Sequence, residues 1–192
     1  MKAIEKLPEG YKEYYSINLQ KDKKTAILVN ALALGIAVIM AIVMSFNVSI
    51  FTIFDIENGF KDYIIRLVVF VLSIIAYLIL HEAVHGIAMK ICGTKKVKYG
   101  FTGLYAFAGS DDYYTKGAYI FIALAPIVLW GIVLTIINIF VPQSWFWVVY
   151  FIQIMNISGA AGDLFVTIKF SRFPNDILVK DLGVGMTVFS KE

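Results

Sequence analysis

Apolar residues in this chain fall into four long runs, approximately over 25–46, 63–91, 117–141 and 145–170, with short polar connections between them. Each is long enough to cross a bilayer as a helix, which needs about 20 residues. The pattern predicts an all-α membrane protein of four transmembrane helices. One stretch breaks the rule. Val97–Ala108 alternates aromatic residues with glycines, a pattern that predicts a short β-hairpin between helices 2 and 3. A strand edge there can take an extended peptide by strand addition. The division expected from this pattern is an N-terminal segment over 1–24, a four-span domain over 25–170 and a small polar tail over 171–192. Pro174, Gly183 and Gly185 punctuate the tail, which has room for a strand.

Composition agrees with this reading. The chain has 192 residues, of which 59% are hydrophobic and 16% charged, against about a quarter charged in soluble proteins. Its mean hydropathy is +0.77. The first run follows about 24 polar residues and is too long for the apolar part of a signal peptide, so it is expected to stay as a membrane helix. There is no internal repeat or low-complexity tract. The lone Cys92 excludes an intramolecular disulfide and any thiolate cluster. A net charge of +3 does not point to nucleic acid, because the lysines flank the spans and form no single basic face.

Those lysines set an orientation. Lys2, Lys6, Lys12, Lys21, Lys23 and Lys24 precede the first span, and Lys90, Lys95, Lys96, Lys98 and Lys116 lie between the second and third. The connection between the first two spans sets Lys61 against Asp55, Glu57 and Asp62, and the connection around Pro142 has no lysine. Both termini and the middle loop are therefore expected on the cytoplasmic side.

Candidate chemistry gathers at that side. His81-Glu82-Ala83-Val84-His85 holds both histidines of the chain. On a helix they sit one turn apart on one face, about 40° apart around the axis. Two imidazoles so placed can hold one zinc ion, and the adjacent Glu82 can act as a base on water. Entering near Tyr63, the second span reaches His81 after about 27 Å, close to the far face of a roughly 30 Å core. The fourth span enters near Trp145 and reaches Asp163 after the same distance. Ionisable groups inside a span are expensive and usually mark a site.

A catalytic zinc takes three protein ligands and leaves one position open. With no third histidine in the chain, a carboxylate is required, and Asp163 is the expected ligand. Asp111 and Asp112 compete but lie in a polar, turn-like stretch. Asn156, seven residues before Asp163, would share its face of a continuous helix to within about 20°. It is read as a group that orients a ligand or binds substrate, with an interhelical hydrogen bond as the alternative. Cys92 reads as a small buried residue. Pro126 interrupts the third span, where proline frees a backbone carbonyl and can kink the helix. It shapes a cleft or accommodates packing.

Taken together, HEAVH at the end of one span, Asn156 and Gly162-Asp163 in a later one, and Ala125-Pro126 between them resemble the zincin peptidase family of small bacterial membrane proteins. Leu7-Pro8-Glu9-Gly10-Tyr11 and Asp181-Leu182-Gly183 are also similar to that family, so the resemblance covers most of the chain. More distantly the layout is similar to site-2 proteases, although Asp163 follows a glycine and stands outside their aspartate motif. The resemblance implies a zinc metalloprotease of the cell membrane with His81, His85 and Asp163 as ligands and Glu82 as base. The expected substrate is a peptide or membrane protein cut within or beside the bilayer. A non-catalytic metal-binding scaffold or sensor would need the ligands but not Glu82, and an ion transporter would use the buried charges as a path. Oligomeric state is not readable from the sequence.

Overall fold

A computed structural model describes residues 2–18, 21–103, 106–183 and 185–191. Two short strands, β1 (Ala3–Ile4) and β2 (Lys12–Asn18), precede α1 (Lys23–Ser45). The Asp22 carboxylate accepts from the Thr25 backbone N–H at 3.2 Å and so caps α1. After a 3₁₀ turn at Ile50–Phe54 comes α2 (Phe60–Ile91), whose 32 residues make it the longest of the described helices. At 1.5 Å per residue it is about 48 Å long, so its last turns project beyond a roughly 30 Å hydrocarbon core. Strands β3 (Lys98–Phe101), β4 (Ala106–Gly109) and β5 (Tyr113–Thr115) lead into α3 (Lys116–Phe140). A second 3₁₀ turn (Gln143–Trp145), α4 (Phe146–Gly159), α5 (Ala161–Ser171), β6 (Leu178–Asp181) and β7 (Gly185–Ser190) complete the described elements.

Among the described residues, four segments are long and apolar enough to cross a membrane: Lys23–Ser45, Phe60–Ile91, Lys116–Phe140 and Gln143–Ser171. Ile27, Leu34, Ile39, Leu72, Ile79, Ile132 and Ile139 lie exposed on them. An apolar exterior of this kind suits lipid, where such surface carries no hydration penalty. Buried Arg66, ion-paired with Asp62 at 3.0 Å, donates to the carbonyls of Thr52, Asp55 and Ser144 and ties both 3₁₀ turns to α2.

Two expectations need correction. The fold is not all-α: β1, β5, β6, β7 and β2 form a five-stranded antiparallel sheet in that order. Its strands are short and rich in polar residues. Pairs such as Ser16 with Thr187 and Ile17 with Met186 join the two ends of the chain, and no local pattern encodes such a partner. A separate antiparallel pair joins β3 to β4, with Tyr99 opposite Ala108. The expected hairpin turn includes Leu104 and Tyr105, which lie outside the described residues.

The second correction concerns the last span. It is two helices, broken at Ala160, where ψ is 18°. The run Ser158-Gly159-Ala160-Ala161-Gly162 carries two glycines, each costing about 1 kcal/mol in a helix interior. A rigid seven-residue spacing therefore does not relate Asn156 to Asp163. The break places Asp163 in the first turn of α5, where a carboxylate suits the positive end of the helix dipole.

The main core lies where the helix ends meet the sheet. Ala88, Met89, Tyr119, Ile122, Val166, Phe170, Val179 and Val188 are all buried there.

Candidate metal centre

Next to this core, His81, His85 and Asp163 converge. One ligand atom from each lies within 4.8 Å of the others. The Nε2 atoms of His81 and His85 stand 3.7 and 3.6 Å from Asp163 Oδ2. Nitrogen and oxygen ligands about 2.0–2.1 Å from a tetrahedral zinc are roughly 3.4 Å from one another. The spacing and the two-histidine, one-carboxylate donor set therefore fit zinc. Both histidines are buried, whereas the Asp163 side chain keeps 28% of its surface and opens onto a cavity of about 340 Å³.

Hydrogen bonds aim the two rings. The Asn156 amide donates from Nδ2 to the Ile127 carbonyl at 3.1 Å, and its Oδ1 accepts from the Tyr77 hydroxyl at 3.1 Å. The Tyr77 oxygen lies 2.8 Å from His81 Nδ1. A carbonyl can only accept, so Ile127 fixes the amide orientation. The Tyr77 proton then goes to Asn156, and the proton between Tyr77 and His81 belongs to Nδ1. On the other ring, His85 Nδ1 lies 2.9 Å from the Ile122 carbonyl, which again can only accept. Both imidazoles thus keep the Nε2 lone pair for the centre. Such outer partners hold a ligating histidine in one tautomer and orientation.

Glu82 lines the same cavity as Ala108 of β4. Strand β4 comes this close because residue 86 is glycine: a Cβ there would stand 1.9 Å from the Tyr99 hydroxyl on β3. Across the cavity, Phe107 packs over Gly183, where φ is +90° and a Cβ would lie 2.1 Å from the Phe107 ring. Beside Gly183, Asp181 accepts from the Gly183 N–H at 2.8 Å and the Tyr119 hydroxyl at 3.0 Å. Burial pushes its carboxyl up to about 6.

Of the residues singled out by sequence, His81, Glu82, His85 and Asp163 share one cavity. Asn156 is fully buried beside it and reaches His81 through Tyr77. Asp111 pairs with exposed Lys98 at 2.6 Å on the surface. Cys92 is buried in the main core. Sequence reading missed Tyr77, although it lies four residues before His81 and so on the same helix face. It also missed Tyr119, for which no local signal exists, and Asp181 stood out only within Asp181-Leu182-Gly183, with no role at the site.

Residues 74–178 match the family described as "Putative zincin peptidase". The chain is also 32% identical over 124 residues to an uncharacterized 24.7 kDa protein of Pyrococcus woesei, covering 60% of this chain and 52% of that one. It thus spans about half the length of that curated relative. No solved structure matches it. The matched region takes in both histidines, Glu82, Pro126, Asn156 and Asp163, and the chain belongs to this zincin peptidase family.

Proposed function

We propose that the chain is a zinc-dependent membrane metallopeptidase. The observation that carries this is the convergence of His81 Nε2, His85 Nε2 and Asp163 Oδ2, with Glu82 on the wall of the same cavity. His81, His85 and Asp163 would hold the ion. Zinc there would supply Lewis acidity, polarising a carbonyl and lowering the pKa of water to about 7.

The remaining steps belong to the chain. Glu82, on the cavity wall, takes the proton of the attacking water at its carboxylate. The water oxygen bonds to the scissile carbon as the C–N bond breaks, and Glu82 returns the proton to the leaving nitrogen. A helical substrate would keep its carbonyls in internal hydrogen bonds, so the substrate is an extended segment of a peptide or membrane protein. Ala106, Phe107 and Ala108 of β4 line the cavity and offer a strand for such a segment to follow. The lysine distribution supports a cytoplasmic location for this end of the molecule and for both termini.

The test is Glu82→Gln in protein purified in detergent, measured for zinc content and for cleavage of an unstructured peptide. Loss of the base should lower turnover at least 100-fold while the zinc content stays unchanged. Undiminished turnover would overturn the peptidase reading. Bound zinc without any wild-type cleavage would favour a metal-binding scaffold.

A further inference from the structure

We infer that Pro126 is a positioning residue for the metal centre, acting through the backbone carbonyl of Ile122. The inference rests on the metal site proposed above. In a regular helix the Ile122 carbonyl would accept the N–H of residue 126, four positions on. Residue 126 is proline and has no N–H, so that carbonyl is left open within α3. Ile122 and Pro126 are both buried, and an unpaired carbonyl there would be costly. The His85 ring answers it, with Nδ1 at 2.9 Å.

The two vacancies complete each other. Proline removes the helix donor that would compete for the carbonyl, and the imidazole supplies the donor that the helix lacks. Because the carbonyl accepts only, the His85 proton is fixed on Nδ1, and the Nε2 lone pair is turned towards Asp163, 3.6 Å away. A proline that merely shaped or kinked α3 would have no effect on the tautomer of a residue on α2. With alanine at 126, a backbone N–H shares the Ile122 carbonyl, and the hydrogen bond from His85 weakens.

The experiment uses the full chain in detergent, labelled with ¹⁵N-histidine. There are two histidines in the sequence, so the four ring nitrogens can be assigned with His81→Gln as reference. In metal-free wild type, at a pH high enough to leave the ring neutral, His85 should show a protonated Nδ1 and a bare Nε2. Finding the neutral ring's single proton on Nε2 would overturn the inference whatever the variant does.

In Pro126→Ala the neutral ring should populate both tautomers, and zinc affinity in a metal-buffer titration should fall about tenfold or more. The thermal midpoint should hold or rise, since alanine suits a helix interior better than proline. Unchanged tautomer and affinity in this variant would also overturn the inference. A wild type that binds no zinc would instead refute the proposed metal site, and the metal-free tautomer measurement would still decide the role of Pro126.

Discussion

The two walls of the cavity are built on different physical terms. On the helical wall, formed by α2, α3, α4 and α5, the hydrogen bonds behind each histidine end on a backbone carbonyl of α3: Ile127 for the Asn156–Tyr77–His81 relay and Ile122 for His85. Those ends leave no freedom in where the ring protons sit. On the sheet wall, Asp181 is a half-buried carboxyl with no ion-pair partner among the described residues, held by a hydroxyl and one backbone N–H. The first wall is closed to protonation changes in its supports, whereas the second carries a group that titrates near neutrality. Donor atoms for a metal sit on the closed wall, where their geometry is over-determined.

The two histidines differ in turn. His81 leans on a side-chain relay that substitution can cut, while His85 leans on backbone. Tyr77→Phe should produce the largest effect. It removes the relay hydroxyl, leaves Asn156 Oδ1 and His81 Nδ1 unpaired, and should weaken zinc binding about tenfold or more with a stability loss of about 1–3 kcal/mol. A metal-buffer titration and thermal unfolding measure the two effects. Unchanged affinity would show that the relay does not aim His81.

Asn156→Ala cuts the same chain one link further from the ring, so its effect on affinity should be smaller, about threefold to tenfold. Joined to Tyr77→Phe it should add almost nothing in a double-mutant cycle, because both act on one path. Full additivity would separate Asn156 from His81. Asp181→Asn tests the sheet wall and should do least. The Asp181 carboxyl is raised in the fold, so its stabilising contribution is complete below about pH 4 and is lost as the pH rises through about 6. Between pH 4 and 7 the metal-free wild type should lose on the order of 2 kcal/mol that the asparagine variant keeps. Parallel thermal midpoints for the two proteins across that range would remove the contrast between the walls.

Much of the helical wall was legible in the sequence. Long apolar runs mark the four membrane-length segments, because burying backbone polar groups in lipid demands uninterrupted helix. The His81–His85 spacing needs only the helical repeat, and the shared depth of His81 and Asp163 needs only residue counting from two span entries. Three things lay beyond that. The break at Ala160 was read as continuous helix, since small residues permit either outcome until packing chooses one. The five-stranded sheet was missed because β2 and β7 recognise each other across nearly the whole chain. Asp181 looks like any turn aspartate until β6 and Tyr119 close over it.

By itself, then, the sequence determined what is periodic and local: the spans, the facing histidines, the base beside them and the missing N–H at residue 126. Only the tertiary structure decided which partners those local features meet. The Ile122 carbonyl vacated by Pro126 lies within reach of His85 because α2 packs on α3, and Tyr77 joins His81 to Asn156 because α4 packs on both. Hydrogen bonds of this kind are set by distances of a few tenths of an ångström between helices. Sequence spacing along one helix carries no information on that scale about its neighbours.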